Sequence, residues 1–491
     1  MPPHPLSRRI ADVLALQPGS RAIEYDGQWL SWGGLGAMAG RVGAGAARRG
    51  GEVGMLLRNR PGHVAALLGV LLGGGTVVVI NPTRGDDRTK ADIAALGLPL
   101  IVGEGADLGA LVPPGTPALP IPVLANGPAG SPPGGAGPVP RNGVAVRMLT
   151  SGTTGPPKRI DLSYDMLARS VLGPDPDRAP APTGVRRGVA IVNSPLVHIG
   201  GVFRVLQCVA EARPFVLLER FELNAWAAAV RAHRPRAVSL VPAALRTVLH
   251  SGLPRADLAS IRAVTCGTAP LSADDADAFT EKYGIPVLTS YAATEFGGGV
   301  AGWTLVDHER HWRDKRGSVG RANPGTQLRV VAENGTPVPP GAVGLLEVKP
   351  GQLGPSARWM RTTDLARIDA DGFLWILGRA DQAIIRGGFK VMPDDVRTAL
   401  EGHPAVAGAA VVGRADARLG ETPVAMVELR APAAADATAL AEYLRNRLAP
   451  YEIPTEIAIV DTIPRTPSGK ADLAAIRRFF SVEAAQSAHA R

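Results

Sequence analysis

Between Thr150 and Lys158 the chain reads Thr-Ser-Gly-Thr-Thr-Gly-Pro-Pro-Lys, directly behind the apolar stretch Val144 to Leu149. Gly152 and Gly155 let the backbone turn tightly and bring its N–H groups against an anion. Thr150, Ser151, Thr153 and Thr154 add hydroxyl donors, and Lys158 adds a full positive charge. This chemistry suits the holding of a polyphosphate. The spacing G-x-x-G-x-x-K, with no Ser or Thr after the lysine, is not that of a Walker A loop. A polar surface loop is the plainer alternative for this stretch alone.

Other stretches carry complementary chemistry. Tyr291-Ala292-Ala293-Thr294-Glu295 combines an aromatic ring, a hydroxyl and a carboxylate. A carboxylate beside a triphosphate requires a metal ion between them, although Thr294-Glu295 alone also reads as a helix-capping pair. Gly267-Thr268-Ala269-Pro270 follows Cys266 as a tight turn. Thr362-Thr363-Asp364, with Asp371-Gly372 and Ile376 through Arg379 behind it, supplies a carboxylate that can accept two hydroxyls and a guanidinium that matches a phosphate. Asp371-Gly372 is at the same time a hairpin signal. Near the C-terminus, Pro464-Arg465-Thr466-Pro467-Ser468-Gly469-Lys470 presents a lysine in a chain with only seven among 53 basic residues.

The elements that must position these groups follow from hydropathy. Strand-like runs at Val189–Asn193, Phe215–Leu218, Ala237–Val241, Ala263–Cys266 and Val287–Ser290 alternate with helical patterns at 202–211, 223–233, 243–250 and 273–283. That rhythm predicts a parallel α/β sheet, whose ligands sit beyond the carboxyl ends of the strands. Residues 150–158, 267–270 and 291–295 each follow a predicted strand and so converge on one crevice. Residues 113–142 and 173–184 read as Pro/Gly-rich loops, the second as mobile. After Arg379 short strands (406–412, 424–429, 457–460) flank one clear helix, 437–448. The expected fold is α/β: a large multi-subdomain N-terminal domain (1–380) with parallel sheets, and a small C-terminal α+β domain (381–491).

Composition narrows the function. A chain of 491 residues, 45% hydrophobic and 20% charged, is ordinary globular material for two or more domains. A net charge of +9 invites a nucleic-acid reading, but the basic residues are scattered and aromatics are few. A basic surface equally suits anionic small molecules. Cys208 and Cys266 offer neither a disulfide framework nor metal-ligand spacing, which fits a reduced, cytoplasmic setting. The apolar run Val64–Ile80 is broken by Gly73–Gly75 and is short for a membrane span. We read it as a buried helix and strand.

In this order, the motifs closely resemble the signatures of the adenylate-forming superfamily, which includes acyl- and aryl-CoA synthetases, peptide-synthetase adenylation domains and luciferases. The resemblance implies roles residue by residue. Thr150, Ser151, Gly152, Thr153, Thr154, Gly155 and Lys158 would cradle the ATP phosphates, and Gly267, Thr268 and Ala269 would line the nucleotide and acyl pockets. Tyr291 would stack on adenine, Thr294 would touch phosphate and Glu295 would hold Mg²⁺. Asp364 would bind the ribose hydroxyls and Arg379 the ribose and phosphate, with Ile376 beside them. Asp381 would be the hinge about which the small domain rotates. Arg386, Gly387, Gly388 and Lys390 would line the pantetheine tunnel, and Lys470 would be catalytic. Ala292 and Thr363 replace the usual glycines, and the stretch 348–362 is contracted.

Pro195-Leu196-Val197-His198-Ile199-Gly200-Gly201 resembles the segment beside the acyl pocket, where His198 either lines the pocket or packs in the core. No Asp stands there to pair with a substrate ammonium, so a carboxylic acid without an α-amine is expected. Gly200, Gly201 and Gly297–Gly299 leave room for a fatty, aryl or polycyclic acid. The implied activity is ATP-dependent formation of an acyl-adenylate, then a thioester with coenzyme A. Alternatives are a ligase serving an acyl carrier protein or an amine, a luciferase-like oxygenase, and a nucleotide-binding protein that has lost catalysis. A homodimer is compatible with this reading, whereas nucleic acid and a membrane span are not expected.

Overall fold

A computed structural model describes residues 3–49, 51–83, 86–121, 143–150, 158–386, 389–416, 419–466 and 469–489. The first sheet has six strands in the order 118–120, 101–103, 52–56, 76–80, 144–150, 158–163. All neighbours are parallel except the last pair, whose antiparallel register sets Thr150 opposite Lys158. The run 64–80 divides as expected. Pro61–Leu72 is a helix buried along its whole length, and Thr76–Ile80 is a buried strand. The neighbouring helix Trp32–Ala47 approaches through glycines, and a Cβ on Gly69 would stand 2.1 Å from the Ala39 carbonyl oxygen.

A second sheet orders 28–31, 21–25, 215–217 and 190–192. The third runs 237–240, 263–266, 287–293, 298–302, 321–322. Its first three strands are parallel, as the alternation of strands and helices predicts, and the last two turn antiparallel. The helices Leu223–His233 and Ala273–Tyr283 fall where the periodicity placed them. Ser272 caps the latter by accepting the Asp275 N–H, and Gly284 closes it at φ +69°. A fourth, antiparallel sheet (327–331, 343–349, 360–368, 374–379) ends at Arg379.

After the turn Ala380–Gln382 a separate sheet begins at Ile384, with its own apolar core around Val411, Val427, Leu440 and Leu444. Its long hairpin pairs Val406–Asp416 with Gly420–Leu429. Three helices flank it, Pro393–Glu401, Ala437–Arg445 and Leu473–His489, which corrects the expectation of one. The loop 173–184, expected to be mobile, is tied down by the buried Arg9. Its guanidinium donates to the carbonyls of Ala179, Pro180 and Ala210. No helix among the described residues is long and apolar enough to cross a membrane.

Candidate active site

The third sheet builds one wall of the site. Its strand Ala263–Cys266 stops at Gly267, beside Ser290 of the neighbouring strand, and a Cβ on Gly267 would lie 2.7 Å from the Ser290 Oγ. A side chain there would force Ser290 to move. Thr268 follows in the left-handed region at φ 74°, a strained conformation of the kind that gathers at ligand sites. The strand expected to end at Ser290 runs on to Ala293, because strand Gly298–Gly302 pairs back along it. Tyr291, Ala292 and Ala293 therefore lie on the sheet, and Thr294 and Glu295 occupy the turn that ends it.

The fourth sheet supplies the facing wall. Asp364 and Arg379 are register partners on its last two strands. The Tyr291 hydroxyl donates to Asp364 Oδ2. Burial raises the Tyr291 phenol above its ordinary range, and the Asp364 carboxylate adds to the shift. Burial also raises the Asp364 carboxyl, against the opposing pull of the Tyr291 hydrogen bond and Arg379. Arg379 donates Nε to Asp381 Oδ1 at 2.9 Å, one terminal nitrogen to Asp381 Oδ2 at 2.7 Å, and the same nitrogen to Thr363 Oγ1 at 2.6 Å. Ile376 is half-buried two residues after the hairpin strand begins at Leu374. The hairpin turn read from Asp371-Gly372 is present, with Gly372 at φ +80°.

Lys470 enters from the C-terminal sheet unit. Thr466 N–H and the Lys470 carbonyl close the turn that presents it, and Gly469 approaches Val241. Lys470 as a residue keeps accessible surface. Desolvation lowers its pKa, as does the neighbouring Arg379, while Asp364 and Glu295 oppose the shift. His198 lies in the same field. Burial, and then Lys470, push its imidazole down to about 4, and its Nε2 is buried without a partner among the described residues. Lys470 thus lies within electrostatic reach of Arg379, Asp364, Glu295 and His198, with Tyr291 bonded to Asp364.

A chain of ion pairs that no motif announced joins the C-terminal unit to the rest of the molecule. Arg246, on helix Pro242–Leu249, donates Nε to Asp275 at 2.7 Å and a terminal nitrogen to Glu401 at 3.1 Å. Glu401, on helix Pro393–Glu401 of the C-terminal unit, also accepts from Arg397 at 2.5 Å, and Arg397 in turn reaches Asp394 at 3.0 Å. The Glu401 side chain is only 7% exposed. Such a contact leaves no signal in sequence, because its ends lie 155 residues apart.

Other expected residues lie elsewhere or outside the described set. Ser151, Gly152, Thr153, Thr154 and Gly155 are not described, nor is the Thr150 side chain. Lys158 opens the strand leaving that loop, and this strand packs against the turn 294–296. Gly387, Gly388 and the Lys390 side chain are likewise outside the described residues. The Arg386 guanidinium is not at the cavity. It donates to the carbonyls of Tyr451 and Ile453, which ties it into its own unit. Arg204, overlooked in the sequence, sits on helix Ile199–Ala210, which His198 caps. It was legible there as the one charged residue of the helix.

Among the described residues no cluster of three or more His, Cys, Asp or Glu could hold a metal ion. Glu295 is a single accessible carboxylate facing the cavity. That donor set fits Mg²⁺, which commonly takes one or two carboxylates and completes its shell with substrate phosphates and water.

Comparison with known proteins agrees over nearly the whole length. A family model described as AMP-binding enzyme matches residues 10–354, and one described as AMP-binding enzyme C-terminal domain matches 395–470. A feruloyl-CoA synthase from Amycolatopsis is 30% identical over 95% of this chain and 97% of its own. The structure of ATP-bound MatB from Rhodopseudomonas palustris superposes with a TM-score of 0.81 at 25% identity, covering 98% of this chain and 99% of that one. An amide bond synthetase, McbA from Marinactinospora thermotolerans, does so with a TM-score of 0.80 at 27% identity over 98% and 100%.

Proposed function

The chain belongs to the AMP-binding enzymes, and from that membership we propose that it is an AMP-forming acid–CoA ligase. The carboxylate of an organic acid attacks the α-phosphorus of ATP. A phosphorus–oxygen bond forms, the bond to the β-phosphate breaks, and pyrophosphate leaves. The thiol of coenzyme A then attacks the acyl carbon, releasing AMP with the bonding electron pair and a proton to solvent. The relative named feruloyl-CoA synthase supports a CoA thioester as product.

The observation that carries this reading is that Lys470 feels the charges of Glu295, Asp364 and Arg379 together. The first step brings two anions together. At an effective dielectric of about 20, unit charges about 4 Å apart repel by roughly 4 kcal/mol. The Lys470 ammonium offsets that repulsion as charge builds on the α-phosphate, a task of positioning and electrostatics. Asp364 accepts the ribose hydroxyls, with its orientation fixed by Tyr291. Glu295 would hold Mg²⁺, which would supply neutralisation of phosphate charge. Lys158, Thr150 and the loop between them hold the outgoing phosphates. His198 stays neutral and borders the acid. The small unit (381–491) rotates about Asp381 after adenylation to admit the thiol.

The test is pyrophosphate release over a panel of carboxylic acids, repeated with Lys470→Ala. Acid-dependent release in the wild type, lost in the variant while preformed acyl-AMP still yields thioester, is the expected outcome. Undiminished pyrophosphate exchange in the variant removes Lys470 from the mechanism. A second reading, transfer to an amine, is favoured by the likeness to an amide bond synthetase and by the inward-turned Arg386. Supplying amines and coenzyme A in parallel and identifying amide or thioester by mass separates the two.

A further inference from the structure

Helix Ile199–Ala210 buries Val202, Val205, Leu206 and Val209 against the core. Its other face runs Gly200, Arg204, Gln207, a stripe at i, i+4, i+7. A Cβ on Gly200 would meet nothing within 4 Å, so this face borders open space at its first turn. That first turn follows His198, whose unpartnered Nε2 faces the field of Lys470.

One turn beyond Gly200 stands the half-buried Arg204. Its guanidinium donates to Gln207 Oε1 at 2.8 Å and to Thr265 Oγ1 at 3.4 Å, both neutral acceptors. No carboxylate lies within ion-pair distance of it among the described residues, whereas Arg213 pairs with Glu211 and Arg246 with both Asp275 and Glu401. Thr265 is two residues before Gly267 on the strand that ends at the cavity. The cation therefore bridges the helix and the strand that leads to Gly267, with no carboxylate partner among the described residues.

Arginine is never deprotonated in such a setting and presents a planar fork of donors matched to an oxyanion. We infer that Arg204 reads a second anionic group, a carboxylate or sulfonate, carried by the acid at the end remote from the reacting carboxyl. This rests on the acid-activation reading above and narrows its substrate class. Six residues of helix rise put Arg204 about 9 Å from His198 along the axis. Its side chain leans back by up to one turn, so an acid whose reacting carboxyl lies beside His198 would carry its second group roughly 4–9 Å away. Short dicarboxylic and sulfonated acids meet that span.

The experiment compares acid-dependent pyrophosphate release for each diacid and its half-ester, and for each sulfonated acid and its unsulfonated parent. Wild type and Arg204→Met are assayed together. The wild-type kcat/KM should favour the doubly charged member by roughly ten- to a hundredfold, the scale of one charge-assisted hydrogen bond. Arg204→Met should collapse that ratio through KM, and Arg204→Lys should restore part of it. A preference confined to one arm identifies the second group as carboxylate or as sulfonate. A wild type that prefers the half-esters and parent acids overturns the inference without recourse to any variant. So does an unchanged ratio in Arg204→Met. In both cases activation of acids survives, whereas absence of pyrophosphate release with every acid overturns the activation reading as well.

Discussion

Glu401 is one point at which the C-terminal unit grips the rest of the molecule, and Glu401→Gln tests what that grip does. The carboxylate receives Arg246 at 3.1 Å from one side and Arg397 at 2.5 Å from the other. Neutralising it leaves each arginine its own second partner, Asp275 at 2.7 Å and Asp394 at 3.0 Å. The loss therefore falls on the contact between the units rather than on either unit's fold. Hydrogen bonds to a charged group contribute about 1.5–3 kcal/mol, and fully breaking a buried pair would remove more. The retained partners argue for the lower figure. About 2 kcal/mol shifts the balance between the Lys470-in and Lys470-out arrangements by roughly thirtyfold. Adenylation, followed as pyrophosphate release, should fall by about tenfold or more. Thioester formation from preformed acyl-AMP should hold or rise, and the melting temperature should move little. A double-mutant cycle with Arg246→Met should be strongly non-additive. Equal losses in both half-reactions, or additivity in the cycle, would refute the idea that this contact sets the balance.

Four further outcomes are expected. Because Lys470 titrates below the ordinary lysine range, adenylation should decline with rising pH earlier than a free lysine would dictate, while thioester formation from acyl-AMP lacks that limb. Tyr291→Phe removes the hydrogen bond that holds Asp364 down, so Asp364 should protonate at higher pH. Weakening of ATP binding on acidification, read by calorimetry, should begin sooner. Buried His63 accepts the Arg58 N–H at Nδ1 and titrates near 3, against 6.5 in the unfolded chain. The unfolded state then binds the extra proton, so this stabilisation is complete above about pH 6.5 and is lost as pH falls toward 3. Denaturant melts should show a slope of at most about 1.4 kcal/mol per pH unit, absent in a His63→Asn background. Gly69→Ala drives a methyl to 2.1 Å from the Ala39 carbonyl and should destabilise by about 1–3 kcal/mol or more in the same melts.

What the sequence made legible is local. Helix 273–283 carried its periodicity, its Ser272 cap and its Gly284 stop in one short window, and its bounds came out as read. The hairpin strands 406–416 and 420–429 were read short because their outer ends pair Arg414 with Thr422 and Ala415 with Glu421, polar positions without apolar alternation. The continuation of 287–293 depends on a partner strand of glycines, which carry no strand signal of their own. At the site, the motif residues were visible one by one, but Arg246–Glu401 and the inward turn of Arg386 are tertiary facts. Arg204 needed the open face at Gly200 before its charge meant anything.

Thr363 stands where the related pattern has glycine, and its hydroxyl is one of the groups holding Arg379. The same guanidinium is forked onto Asp381, at the joint between the two sheet units. A nucleotide that draws on Arg379 must compete with both tethers, and a swing at the joint must release one of them. Site occupancy and joint angle therefore share a single mechanical part. By thermodynamic reciprocity, whatever the nucleotide does to the swing, the swing does equally to the nucleotide's hold.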